Sequence, residues 1–122
     1  MPIDLIDPTL EGVARALTVH VRRHRVLAEN VANLETPGFR ARDTDFRRAL
    51  AAAFASARAG EAAPRVETIH EDTSVPPRAD GNTVDLDLQM AQLSDNASRY
   101  ATLSRILAKR LGLVRHSIEG VR

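Results

Sequence analysis

The sequence predicts a mainly all-α protein, in which long N- and C-terminal helices form an antiparallel coiled-coil-like pair. A short helix and an irregular segment with a short β stretch join the two. Both long stretches carry mainly apolar residues at spacings of three and four, which is typical of a helix with one narrow packing seam. Aromatic residues make up only 3% of the 122 residues, so the chain favours helix seams over a deep globular core.

The composition argues against several classes of function. The formal net charge is +1, so no overall field directs the chain to nucleic acid or to an acidic membrane. The sequence contains no cysteine, and therefore predicts neither a disulfide framework nor a thiolate metal site. No run approaches the roughly 20 apolar residues of a membrane span, and the N-terminus lacks the pattern of a secretory signal. Taken alone, these features predict a cytoplasmic protein.

The first long helix is predicted over residues 9–33, after an irregular lead-in over residues 1–9. Asp7 or Thr9 is its expected cap, with Pro8 in the first turn. At about 1.5 Å per residue, the helix is roughly 37 Å long. Its seam combines apolar residues with two histidines: Leu10, Val13, Leu17, His20, His24, Leu27, Val31 and Leu34. Further small apolar residues are predicted to widen it: Ala14, Val21 and Ala28.

A turn motif ends this helix. Pro37 disfavours helical geometry at Thr36, and Gly38 adopts a positive φ at little cost. Just before the turn, Asn30 and Asn33 lie three residues apart, so both amides fall on one side of the last helical turns. After the turn, extended backbone is expected to lead to a new helix.

The middle of the chain is predicted to contain a short helix and an irregular segment. Alanine is frequent over residues 45–58, which favours a helix that ends at Gly60. Its apolar stripe consists of Phe46, Leu50 and Phe54. Residues 59–83 are rich in proline and glycine and are expected to be mobile until partners order them. Within that segment, residues 66–69 suit a short strand and residues 80–82 form a turn signal.

The last helix is predicted over residues 84–119, with Asn82 or Thr83 as its cap. Its apolar stripe comprises Leu86, Met90, Leu93, Ala97, Tyr100, Leu103, Leu107, Leu111, Val114 and Ile118. The helix is roughly 54 Å long at about 1.5 Å per residue, so the distal stripe extends past an antiparallel partner. An apolar stripe that stays exposed on a monomer marks a surface for other copies or related subunits.

His20 and His24 stand one helical turn apart, which is a spacing that holds a metal ion. No third ligand is evident, and we interpret the two histidines as polar seam residues that fix the register between helices. The sequence therefore predicts no metal site and no cofactor.

Two pairs of carboxylates and one basic cluster have simple structural explanations. The pairs Asp43/Asp45 and Asp85/Asp87 lie beside predicted helix starts, where capping accounts for them. Residues 22–25, with three arginines and a histidine, are interpreted as a solvated helix face. The sequence predicts no catalytic residue.

Two motifs resemble those of a known protein family. The first joins the end of the first helix to the turn after it: Asn30, Ala32, Asn33, Thr36, Pro37, Gly38 and Phe39. The second is the stretch DGNTVDLD at residues 80–87. Together they resemble the bacterial flagellar rod, hook and hook-associated proteins, and among these the basal-body proximal rod proteins. The resemblance extends over most of the chain and is weakest between residues 51 and 78.

The resemblance implies a structural subunit of the flagellar proximal rod and not an enzyme. Its implied partners are copies of itself, other flagellar rod proteins, the basal-body base and export-gate components, with no nucleic acid, membrane insertion or small-molecule substrate. Copies of the protein and the other rod proteins would form a helical tube that joins the membrane-ring base to the distal rod and transmits torque. The implied location is the periplasmic rod, reached through the flagellar type III export apparatus without a cleaved signal peptide, which replaces the cytoplasmic expectation.

The expected helical rod core comprises residues 1–40 and 81–122, with residues 41–80 as a connecting segment. Its assembly interface is expected on both helix seams, at Leu10, Val13, Leu17, His20, His24, Leu27, Val31, Leu93, Tyr100, Leu107, Leu111, Val114 and Ile118. Two alternatives stay open. A soluble helical adaptor would form a one-to-one complex with a partner's amphipathic helix. A small metal-dependent enzyme would use the histidines and hold stoichiometric metal.

Overall fold

The computed structural model describes residues 7–65 and 68–120, which form three helices and a two-stranded sheet. In chain order these are α1 (Pro8–Ala32), β1 (Arg42–Thr44), α2 (Phe46–Arg58), β2 (Ile69–Glu71) and α3 (Leu86–Glu119). The predicted mainly helical fold is confirmed, and each helix begins and ends within two residues of its predicted bounds. The lead-in over residues 1–6 and the first half of the expected strand, at residues 66–67, lie outside the described residues.

The start of α1 is set by Asp7. The Asp7 Oδ1 accepts a hydrogen bond from the Leu10 N–H at 2.8 Å, and Pro8 occupies the first turn. Glu11 adds a negative charge near the positive end of the helix dipole. Of the two expected caps, Asp7 is therefore the one used. No helix within residues 7–65 and 68–120 has the length and apolarity that a membrane crossing requires.

α1 is the central element, because α2 and α3 both pack on it and, within the described residues, do not pack on each other. α3 runs antiparallel to α1, as three contacts along the pair establish: Asn30 with Gln89, His20 with Asn96, and Asp7 with Arg110. The start of α1 therefore lies opposite Arg110, and the last turns of α3 extend beyond α1.

The face of α1 that meets α2 is built from small residues. A Cβ atom at Gly12 would lie 2.6 Å from the Phe54 ring, so the absence of a side chain lets the ring approach the helix. Ala53 and Ala57 of α2 are buried in the same contact.

The expected widening of the α1 seam is wrong, since Ala14, Val21 and Ala28 are all exposed. The buried surface of α1 extends in the other direction, through Gly12, Ala16, Val19, Arg23 and Val26. A second helix covers that side, and the periodicity of apolar residues alone did not indicate it because glycine and arginine interrupt the pattern.

β1 and β2 pair antiparallel, with Arg42 opposite Glu71 and Thr44 opposite Ile69. Two further backbone bonds extend the ladder: the Asp45 N–H donates to the Thr68 carbonyl at 3.1 Å, and the Asp72 N–H to the Ala41 carbonyl at 2.8 Å. The described strand thus lies later in the chain than the expected residues 66–69. Since β1 packs on α1, the sheet ties part of the middle segment to the helices.

The expected cap of α3 is also wrong. Asp85 caps the helix, because its Oδ1 accepts a hydrogen bond from the Leu88 N–H at 3.1 Å. Asn82 and Thr83 are buried and engaged elsewhere. The Thr83 hydroxyl accepts from the Ala41 N–H at 2.8 Å, and Asn82 contacts the end of α1.

Candidate assembly site

The loop before α3 makes hydrogen bonds to the turn that follows α1. α1 ends at Ala32, so the backbone carbonyl groups of the turn after it are not part of the helical hydrogen-bond ladder. The buried Asn82 amide donates to the carbonyl oxygens of Asn33 (2.9 Å), Leu34 (3.1 Å) and Thr36 (2.8 Å). Its Oδ1 accepts from the Val84 N–H at 2.7 Å, which orients the amide. One side chain therefore bonds three carbonyl groups in the turn after α1 and fixes the approach to α3.

The turn after α1 lies directly against the turn before α3. Gly38 has a φ of 73° and Gly81 a φ of 83°, so both take the left-handed conformation that the sequence predicted for the first turn. The Gly38 N–H donates to the Asp80 carbonyl at 2.9 Å. The Arg78 guanidinium bridges the turns by donating to the carbonyls of Leu34 and Val84. The two motifs of the sequence thus form one unit, which we call the helix junction (residues 30–42 and 78–89).

Asn30 holds both helices and β1 together inside this junction. Its Nδ2 donates to the Arg42 carbonyl at 2.7 Å and to the Gln89 Oε1 at 3.0 Å. Its Oδ1 accepts from the Arg42 N–H at 3.0 Å. Asn33 acts more locally, because its Nδ2 bonds the Glu29 carbonyl and its Oδ1 accepts from the Thr36 hydroxyl. The two asparagines of the motif therefore have different roles.

Halfway along the α1–α3 seam, His20 and Asn96 form a second buried polar contact. The Asn96 Nδ2 donates to the His20 carbonyl at 2.9 Å, which leaves the Asn96 Oδ1 as the acceptor for His20 Nδ1 at 2.7 Å. His20 therefore carries a proton on Nδ1. His24, by contrast, is exposed at the edge of the seam. Among residues 7–65 and 68–120, no three histidine, aspartate or glutamate side chains come close enough to hold a metal ion.

Arg23 departs from the expectation for the basic cluster. Its guanidinium donates from Nε and Nη2 to the two carboxylate oxygens of Asp43, both at 3.0 Å, and its side chain is only 4% exposed. The guanidinium carbon also lies 3.7 Å from the centre of the Phe46 ring. The interpretation of Arg23 as part of a solvated face, and of Asp43 as a helix cap, is wrong. The pair instead fastens β1 and the start of α2 to α1.

The structure distributes the remaining predicted residues between the seam and the surface. On α1, the buried members are Leu10, Val13 and Leu27, and the half-buried members are Leu17 and Val31. Within the turn motif, Phe39 is half-buried, whereas the exposed residues are Ala32, Thr36, Pro37 and Gly38. On α3, the half-buried residues are Leu93, Leu107 and Val114, and the exposed ones are Tyr100, Leu111 and Ile118.

The line of α3 that faces α1 near the junction is polar, which the apolar periodicity did not indicate. Gln89 and Asn96 are each 1% exposed, whereas the predicted stripe residues Leu86 and Met90 are 41% and 52% exposed. The amides lie seven residues apart, as a heptad seam requires, and that spacing was the available signal. Each amide has a hydrogen-bond partner on α1, so the face of α3 that meets α1 here is not the apolar stripe that was predicted.

Comparison with known proteins agrees with the motifs. No family model matches the chain. The flagellar basal body rod protein FlgB of Cereibacter sphaeroides is 33% identical over 117 residues, covering 88% of this chain and 91% of the relative. FlgB of Salmonella typhimurium is 30% identical over an aligned length of 135 residues, covering 97% and 98%. FlgB of Escherichia coli is 32% identical over 115 residues, covering 80% and 83%. The chain therefore belongs to the FlgB family, and it is a structural protein of the flagellar basal body rod.

Proposed function

We propose that this protein builds the proximal rod by packing its antiparallel α1–α3 pair against copies of itself and other rod proteins, so that the pairs stack into a helical tube. The observation that carries the proposal is the apolar distal part of α3. Four large apolar side chains there are between 42% and 57% exposed: Ile106, Leu111, Leu113 and Ile118. The helical turns after Arg110 extend beyond the start of α1.

The apolar side chains of the distal part of α3 are too widely spread for a single neighbour. At 100° per residue, they cover about 160° of the helix circumference, whereas a helix that faces one core needs about 100°. The residues that form this apolar arc are Ile106, Leu107, Leu111, Leu113, Val114 and Ile118. A helix surrounded by subunits of a tube buries such an arc, whereas an adaptor that holds one partner helix leaves part of it in water.

Burial of the apolar arc supplies a substantial driving force for assembly. Transfer of one leucine from water to an apolar interface is worth about 1.5–3 kcal/mol. Every copy presents the same arc, and a contact between two different surfaces repeats from copy to copy when its rotation does not close a ring. Such contacts produce a filament of helical symmetry.

The helix junction gives the subunit a fixed shape for this role. In the proposal, residues 1–40 and 81–122 form the rod core, and residues 41–80 connect its two halves. Because Asn82 and Asn30 tie the end of α1 to the start of α3, the pair transmits torque as one body. The proposed role is mechanical, so it involves neither catalysis nor a cofactor.

The proposed site of action is the periplasmic rod, which the protein reaches through the flagellar type III apparatus without a cleaved signal peptide. Its neighbours there are the other rod proteins, the basal-body base and components of the export gate. The names of the relatives, which are all flagellar basal body rod proteins, support this assignment.

A matched pair of variants tests the proposal. Leu111→Asp places an unpaired charge inside the arc, whereas Ala108→Asp introduces the same side chain one turn away on an exposed surface outside it. We expect both proteins to be made and exported, and only Leu111→Asp to abolish motility and leave no rod in isolated basal bodies. Normal rods with Leu111→Asp would contradict the proposal, as would equal loss of assembly in both variants.

A further inference from the structure

A basic cleft lies between α1, α2 and the segment that follows α2. Its volume is about 390 Å³, within the range of about 300–1,000 Å³ that is usual for ligand pockets. Among the described residues, the charged side chains that line it are four arginines and one aspartate: Arg15, Arg22, Arg48, Arg65 and Asp45. Small apolar side chains separate the charges, among them Val19, Ala52 and Pro64. Basic side chains thus outnumber acidic ones among the described lining residues, although the chain as a whole has a net charge of +1.

The arginines of the basic cleft differ in their present contacts. The Arg15 guanidinium is already engaged within the chain, because it donates to Glu11 at 2.6 Å, the Ser56 hydroxyl at 2.8 Å and the Glu61 carbonyl at 2.9 Å. Arg48 and Arg65 have no ion-pair or hydrogen-bond partner within residues 7–65 and 68–120. Within that part of the chain no carboxylate pairs with their guanidinium groups, which bind carboxylates in a fork geometry.

The surface of the same chain carries a segment with the complementary pattern. Several exposed carboxylates already pair with arginines, as Glu29 does with Arg42 and Asp95 with Arg99. Asp85 and Asp87 are both exposed and form no ion pair within the described residues. They flank Leu86, which is 41% exposed. We call these three residues the acidic start of α3; they offer two carboxylates around one apolar side chain.

The acidic start of α3 cannot reach the basic cleft of its own chain. The contact between Asn30 and Gln89 holds it at the carboxyl end of α1. The cleft is lined by Arg15, Val19 and Arg22, from the middle of α1 on the side that faces α2. Any contact between the two surfaces must therefore join two molecules.

We propose that the acidic start of α3 of one copy binds the basic cleft of a second copy. Arg48 and Arg65 receive Asp85 and Asp87, and the apolar wall around Ala52 receives Leu86. An inorganic anion would leave that apolar wall unused, and nucleic acid would find no aromatic side chain for base stacking among the described lining residues. Because the two surfaces differ, the contact runs head to tail, and it propagates along a filament when successive copies do not close into a ring. It deepens the proposed rod function by naming one contact between copies.

Cysteine cross-linking tests the contact in the full-length protein, since the chain has no cysteine of its own. One protein carries Ala52→Cys in the cleft and a second carries Leu86→Cys; the two are mixed and oxidised. We expect a disulfide-linked dimer, with a yield well above that obtained when Ser98→Cys, at an exposed site on α3, replaces Leu86→Cys.

Charge reversal then tests the electrostatic part of the contact. Arg48→Glu in the first protein, or Asp87→Arg in the second, should lower the cross-linking yield about tenfold, and the two changes together should restore it. Arg105→Glu, at an exposed arginine outside the cleft, should have no effect. Circular dichroism checks that each variant stays folded. Asp85 is left intact because it caps α3.

Three outcomes would overturn the proposal: a yield no higher than with Ser98→Cys, no recovery with the paired reversal, or capture of a different protein by Ala52→Cys in basal bodies. Its failure is distinguishable from failure of the rod function. If Arg48→Glu leaves rods intact while Leu111→Asp abolishes them, the cleft contact is wrong and the rod function stands.

Discussion

His20 of α1 and Asn96 of α3 exchange two hydrogen bonds across the seam, at 2.7 and 2.9 Å, with each residue at most 2% exposed. Together with the Asn30–Gln89 contact nearer the helix junction, this pair fixes the antiparallel register. Apolar seams tolerate sliding by a turn, whereas buried polar groups must meet their partners or lose hydrogen bonds.

Removal of one member of the pair should therefore cost more than removal of both. Asn96→Ala leaves the His20 Nδ1–H buried without an acceptor, and we expect the free energy of unfolding to fall by about 1–3 kcal/mol. The double variant His20→Leu with Asn96→Leu should recover most of that loss, because two apolar side chains replace the pair. Urea unfolding followed by circular dichroism measures both; a double variant less stable than the single one would refute the register role.

Asn82 should contribute more to stability than the exposed part of the turn motif. Asn82→Ala removes the donor shared by three carbonyl groups at the end of α1, so we expect a loss of about 1–3 kcal/mol. Asn33→Ala is the matched control, since its side chain makes only local, exposed bonds, to the Glu29 carbonyl and the Thr36 hydroxyl, and should cost less than about 1 kcal/mol. Thermal melts of the two variants compare them; similar losses would show that Asn82 does not hold the junction.

The buried Arg23–Asp43 pair should be sensitive to the loss of either partner. Arg23→Ala leaves the Asp43 carboxylate buried and unpaired, and we expect a loss of about 3–5 kcal/mol in unfolding free energy. Arg42→Ala breaks the exposed pair with Glu29 and should cost less than about 1 kcal/mol. Chemical denaturation distinguishes the two cases. If Arg23→Ala lowers the unfolding free energy no more than Arg42→Ala does, the Arg23–Asp43 pair does not have the role assigned to it.

Substitution of two helical glycines by alanine should change the stability of the protein in opposite directions. Gly12→Ala drives a Cβ atom to 2.6 Å from the Phe54 ring and should destabilise the protein by about 1–3 kcal/mol. Gly112→Ala meets nothing within 4 Å and should stabilise α3 by about 0.5–1 kcal/mol. If the melting temperature rises in both variants, α2 does not pack against Gly12 as described.

The helices were predictable because long periodic stretches and their terminal residues determine them locally. Pro8 with Asp7 marks the start of α1, and Pro37 with Gly38 marks the turn after it. The sequence also indicated that Leu111 and Ile118 would stay exposed, since a shorter partner cannot cover a longer helix.

The polar interior was not predictable from periodicity. Asn82 was assigned as a cap of α3, but it bonds the end of α1, more than 40 residues earlier in the chain. Arg23 was assigned to a solvated face, but Asp43 and Phe46 meet it only after the chain has turned back on α1. Both contacts depend on tertiary proximity, which neither local propensity nor spacing encodes.

The environment of Leu111 in the assembled rod tests the central claim most directly. Electron cryo-microscopy of isolated basal bodies at side-chain resolution would locate the distal part of α3 relative to its neighbours. We predict that the apolar arc, including Ile106, Leu113 and Ile118, is buried against at least two adjacent subunits, with the α1–α3 pair intact. An arc that faces the channel or the solvent, in a rod that contains this protein, would contradict the account.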